Sequence, residues 1–131
     1  MIEKLITKRE EKINEITRRI NQDTNELIQD LILTIKLDND LTNRLLIKLL
    51  QNTYLLYTLK NSEFILVLHV LMNHGCIDHT NRYLTNKLNM GVYTLTNAIK
   101  RLCNSEILSM VTIKHKRIIY FHRKFISRLL I

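Results

Sequence analysis

Residues 80–102 read TNRYLTNKLNMGVYTLTNAIKRL, and their spacing predicts two short helices joined by a sharp turn. Leu84 and Leu88 stand four apart on the first, while Leu95, Ile99 and Leu102 follow at i, i+4 and i+7 on the second. Each helix therefore has one face to bury. Asn89, Met90 and Gly91 supply the turn, with Gly91 free to take a positive φ and Met90 an apolar plug beneath it. Thr80 stands where the cap of the first helix belongs. The outward side chains of the second helix are Tyr93, Thr94, Thr96, Asn97, Lys100 and Arg101, a hydrogen-bonding and cationic set without one carboxylate. Any amphipathic helix needs a solvated face, but one free of acids suits a polyanion with readable base edges.

Downstream, residues 107–113 and 117–122 are two β-rich runs, with Ile113, Ile118, Ile119, Tyr120 and Phe121 carrying the propensity. Lys114, His115, Lys116 and Arg117 form a basic tip between them, and 125–130 closes as a short amphipathic helix. Upstream, Asn61 and Ser62 are placed to open a thoroughly apolar helix over 63–73, which His74 and Gly75 end. Residues 76–78 are too few for a helix and predict a brief strand. The order from residue 61 is helix, short strand, helix, helix, hairpin, helix.

The first sixty residues have another character. Ile6, Ile13, Ile20 and Leu27 recur every seven residues, with Ile2 and Ile16 at the matching d positions, as in a coiled-coil seam. Arg9 and Asp23 interrupt the d row, and Asp23 with Glu26 predicts a capping box that restarts the helix past a boundary near Gln22. A second helix over 24–37 leads to Asp40, a candidate cap for a helix over 41–59. That last stretch is apolar on nearly every side, Leu45, Leu49 and Leu56 included, which predicts a core or subunit-interface element. We expect homodimerisation through Ile6, Ile13, Ile20, Leu27, Leu45, Leu49 and Leu56.

Charge divides the chain the same way. Of the formal +8, residues 1–60 supply +1 (10 Lys and Arg against 9 Asp and Glu), and residues 61–131 supply +7 (10 against Glu63, Asp78 and Glu106). All five histidines lie in the second part. A one-sided positive field of this kind concentrates nucleic acid and speeds its association. The absence of proline, with two glycines and the single alanine Ala98, predicts a mostly helical protein. The Ile, Asn and Lys bias is what AT-rich coding produces, and points to a low-GC genome or mobile element.

The succession EFILVLHVLMNHG, LTNKLNMGVYTLTNAIKRL, EILSMV and KRIIYFH over about residues 62–131 resembles the winged-helix DNA-binding domains of bacteria, phages and plasmids, with MarR-like regulators as the generic case. The short wing followed at once by HRKFISRLL is most similar to the winged helix of small plasmid replication proteins. The resemblance implies a supporting helix at 84–88, a recognition helix at 92–103 and a wing tip at 114–117. The expected architecture is mainly α with a small β-hairpin: a helical dimerisation region (1–60) and a winged helix-turn-helix (61–131).

The candidate DNA contacts are thus Arg82 and Lys87 beside the supporting helix, Tyr93, Thr94, Thr96, Asn97, Lys100 and Arg101 on the reading helix, and Lys114, His115, Lys116 and Arg117 at the tip. Asn97 suits adenine, Arg101 or Lys100 suits guanine or a phosphate, and the Tyr93 ring suits a thymine methyl or a sugar. No nucleophile with base and acid, paired carboxylates or glycine-rich phosphate loop is present in the sequence, so we expect no enzyme and no cofactor. His74, Cys76 and His79 match no standard zinc spacing, and no metal is expected. Cys76 and Cys103 suit a reducing compartment as thiols, and no apolar run nears the ~20 residues of a membrane span, so we expect a cytoplasmic protein.

The expected function is sequence-specific binding of double-stranded DNA by a dimeric transcription regulator. The alternatives are a replication initiator or partition adaptor that recruits replication or segregation machinery, and a helical protein-interaction module.

Overall fold

A computed structural model describes residues 2–19, 24–113 and 115–131. Along them run α1 (Ile2–Arg18), α2 (Thr24–Ile35), α3 (Asn39–Gln51), α4 (Thr53–Thr58), α5 (Asn61–Met72), β1 (Cys76–Ile77), α6 (Asn81–Leu88), α7 (Val92–Asn104), β2 (Leu108–Ile113), β3 (Lys116–Phe121) and α8 (Arg123–Leu130). The protein is mainly helical with one small antiparallel sheet of order β1-β3-β2. Among the described residues no helix is long and apolar enough to cross a membrane. Ile20 of the predicted seam, the Asp23 capping box, the boundary near Gln22 and Lys114 of the tip lie outside the described residues.

Strand β3 organises the molecule. It pairs with β1 at Cys76↔Tyr120 and Ile77↔Ile119, and with β2 from Leu108↔Phe121 to Ile113↔Lys116. Ile118, Ile119, Tyr120 and Phe121 are all buried, and successive strand residues face opposite sides, so both faces of the sheet are covered. Ile119 and Phe121 join the larger core, where Leu66 and Val70 of α5, Leu95 and Leu102 of α7, and Phe125 and Leu129 of α8 meet. Leu45 and Leu49 of α3 and Leu55 of α4 belong to the same core, so residues 1–60 and 61–131 share it. Ile118 and Tyr120 join a second cluster with Ile13 and Ile16 of α1 and Leu27, Leu31 and Ile35 of α2.

The helical hairpin α1–α2 thus roofs the back of the sheet. Its seam residues Ile13 and Leu27, like Leu45 and Leu49, are already buried within this one chain, while Ile6 and Leu56 are half-buried against the larger core. Arg9, which breaks the heptad row, has a structural task. Its Nη2 donates to the carbonyl of Ile35 at 2.8 Å, satisfying an end of α2, and its guanidinium lies 5.9 Å from the centre of the Tyr120 ring. The backbone N–H of Leu37 donates to His74 O at 2.8 Å. Gly75, at φ 82°, then passes so close to Leu37 and Phe121 that a Cβ there would stand 3.0 Å from Leu37 Cδ1.

Several helix ends differ from the sequence reading. The 41–59 helix is two helices, because the Asn52 side chain accepts from Leu55 N–H at 3.0 Å and starts α4 afresh. Asp38 rather than Asp40 caps α3, accepting from Leu41 N–H at 2.7 Å, and Asp40 pairs with Arg44 instead. The cap position of α5 is Lys60, whose N–H donates to Glu63 Oε1 at 3.0 Å, where the sequence suggested Asn61 and Ser62. In the turn after α6 the left-handed residue is Asn89 (φ 51°), and Gly91 is extended at φ −71°. Asparagine tolerates that conformation because its short polar side chain bonds locally.

Candidate nucleic-acid interface

Helix α7 begins at Val92, after its cap position Gly91, and ends one residue past Cys103, at Asn104. Leu95, Ala98, Ile99 and Leu102 are buried, which turns the opposite side outward. Tyr93, Asn97, Lys100 and Asn104 follow at intervals of four, three and four, and all are exposed. They form one stripe along the helix. Thr96 flanks it, its hydroxyl donating to Val92 O at 2.8 Å. Helix α6 stands behind, capped as expected by Thr80 Oγ1, which accepts from Tyr83 N–H at 3.1 Å. Arg82 and Lys87 are exposed on it.

The β2–β3 hairpin lies beside the stripe. A cleft of about 390 Å³ separates them, lined by Asn81, Thr96, Lys100, Cys103, Asn104 and Arg117. Arg117 is not a free tip cation. Its Nη1 donates to Asn81 Oδ1 at 2.7 Å and its Nη2 to His79 O at 3.0 Å, so it braces β3 against the start of α6. At the hairpin turn His115 takes a positive φ of 70° and is exposed, and Lys116 pairs with Asp78 at 3.0 Å. Burial works to raise the Asp78 carboxyl, but the hydrogen bond and charge of Lys116 outweigh it and hold Asp78 below its usual value.

Arg101 lies on a different flank from Lys100. Its Nε is 3.1 Å from Oε2 of Glu63, a buried carboxylate at the start of α5, so the structure does not bring Arg101 onto the stripe. Each of the three acids of residues 61–131 is held by a cation: Glu63 by Arg101, Asp78 by Lys116, and Glu106 by Lys124 at 2.9 Å. Among the described residues no ion pair engages Arg82, Lys87 or Lys100, which leaves their charge to the solvent side.

A histidine pair joins α5 to the segment before α6. His69 of α5 is buried, its Nε2 3.1 Å from Nδ1 of His79, and the His79 ring packs 4.2 Å from that of Tyr83. Burial, then the charges of His79 and Lys87, lower the His69 pKa from its ordinary value. Cys76 and Cys103 are free thiols, and burial pushes Cys76 up to about 11. Among the described residues no group of three His, Cys, Asp or Glu is placed to hold a metal ion.

Sequence reasoning missed Asn104 and Asn81. Asn104 was legible as the residue seven past Asn97, had the helix been extended by one position. Asn81 becomes visible only once Arg117 folds back onto it. Compared with known protein families, with characterised proteins and with solved structures, the chain matches none.

Proposed function

We propose that the chain is a sequence-specific double-stranded DNA-binding protein of winged-helix type. Helix α7 enters the major groove, the β2–β3 hairpin is the wing, and the job is regulation of transcription. The observation that supports this most is the exposed stripe Tyr93, Asn97, Lys100 and Asn104. It carries no acid and lies beside a hairpin in a half where every acid is already paired. Base reading falls to Asn97 and Lys100, phosphate grip to Arg82, Lys87 and His115, and Arg117 with Lys116 shapes the wing. The order α5-β1-α6-α7-β2-β3, with β3 between β1 and β2, agrees with this reading.

Pairing of two copies remains part of the proposal, with a changed surface. Side chains buried inside one chain offer a second copy nothing, so the contact falls to exposed residues of the same helices: Ile47 and Leu50 of α3, and Tyr54 and Tyr57 of α4. A twofold dimer would present two reading helices about one DNA turn apart.

The test is a titration of duplex DNA by fluorescence anisotropy at several salt concentrations, followed by a footprint. We expect binding whose logarithm falls linearly with the logarithm of salt. No binding to any duplex at low salt would remove the proposal. Asn97→Ala should relax sequence preference by about 1–3 kcal/mol at one base position. A single footprint beside a promoter fits a regulator, whereas a tandem array beside an origin transfers the same contacts to replication or partition.

A further inference from the structure

On the flank of α7 away from the wing, an open cleft of about 470 Å³ lies between α4, the start of α5, α7 and α8. Its apolar lining includes Leu55, Leu59 and Ile107. Asn52, Thr58 and Ser105 add polar edges to that lining, and its acid is Glu63, whose side chain is only 5% exposed. Oε1 of Glu63 is used by the Lys60 N–H, and Oε2 meets Arg101 as an ion pair without a well-directed hydrogen bond. Arg128 of α8 also lines the cleft, is exposed, and has no ion pair among the described residues. Glu106 is held by Lys124 at 2.9 Å. Two guanidinium groups thus share a lining with one carboxylate that is already engaged.

We propose that this cleft binds a small amphiphilic carboxylate, its anionic head on Arg101 and Arg128 and its tail over Leu55, Leu59 and Ile107. Guanidinium presents a planar fork of donors that matches a carboxylate, and Glu63 fixes Arg101 through Nε, which leaves the terminal nitrogens for the head group. A cationic head would face two arginines, and a purely polar anion would leave the apolar floor uncovered. The volume lies in the range of small-molecule sites, which combine an apolar lining with a few placed polar groups. The site stands independently of whether α7 contacts DNA.

The experiment is a titration of the full chain with octanoate, followed by amide NMR, with octylamine and 1-octanol as controls of equal length. Octanoate should give saturable shifts clustered at Leu55, Leu59, Arg101, Ile107 and Arg128, with neither control doing so at the same concentration. In Arg128→Ala, whose side chain is exposed and dispensable for the core, the octanoate Kd should rise at least about tenfold with the rest of the spectrum unchanged. Octylamine or octanol binding as well as octanoate would overturn the proposal. So would scattered, unsaturable octanoate shifts, or an Arg128→Ala protein that binds octanoate like the parent.

Discussion

Lys100 and Arg101 are neighbours on one helix, yet they belong to two different surfaces. Lys100 projects with Tyr93, Asn97 and Asn104 into open solvent, while Arg101, one residue and about 100° further round, is drawn onto the buried carboxylate of Glu63. What a cation does is set by what stands behind it. One flank of α7 faces open solvent, and the other is fastened to the first turn of α5.

The largest effect that tests this contrast is Glu63→Ala. It removes a carboxylate bonded to the Lys60 N–H, empties a buried position and leaves Arg101 without its partner. Arg101 is half exposed and keeps its hydration, so urea unfolding should show a loss of about 1.5 kcal/mol, mainly from the lost capping bond. A loss below about 0.5 kcal/mol would mean that the fastened flank fastens nothing.

Next in size, Lys100→Ala should weaken duplex binding roughly fivefold at moderate salt and reduce the salt slope by about one, with thermal stability unchanged. Arg101→Ala should cost less affinity than Lys100→Ala while lowering stability. The reverse ranking, measured by anisotropy and thermal melting, would exchange the two flanks.

A smaller effect comes from pH. Because the folded His69 imidazole titrates below its ordinary value of about 6.5, the unfolded chain takes up a proton there more readily than the folded one. Its contribution is fully present above the ordinary value and is lost as pH falls through it toward the lowered one. Melting temperatures should therefore fall from pH 7.5 to 5, and His69→Leu should flatten that descent. An unchanged descent in His69→Leu would remove His69 as its source.

The smallest effect concerns the turn. Gly91 caps α7 without a side chain, in an extended conformation, and a Cβ there meets nothing within 4 Å. Gly91→Ser should stabilise the protein by about 0.5 kcal/mol, by supplying a cap and restricting the unfolded chain. If Gly91 needed a positive φ, the same change would destabilise.

The sequence made legible those features that depend on neighbours in the chain. The two helices of residues 80–102 follow from leucine spacing, and the strands from runs such as Ile118–Phe121. That run also implies cover on both faces of its strand, because all four successive residues are buried. Helix starts are least legible where several capping residues crowd together, as at Asp38, Asn39 and Asp40, because their capping preferences are nearly equal. The destination of an apolar stripe was not legible at all. The heptads of α1 read the same whether they meet a second copy or, as here, α2 and the back of the sheet. Nor was the tie of Arg101, since Glu63 lies 38 residues away and reads locally as an ordinary acid in a first helical turn.

The buried guanidinium of Arg9 has a further consequence for how α1 seats. A seam that repeats every seven residues can slip by one repeat and still cover apolar surface. Only one seating, however, sets Arg9 under the Ile35 carbonyl and over the Tyr120 ring. In a slipped seating the charge would be buried without partners, at a cost of several kcal/mol. Arg9 is therefore the key in the lock: it gives up some roof stability and in return leaves a periodic helix one address on the sheet.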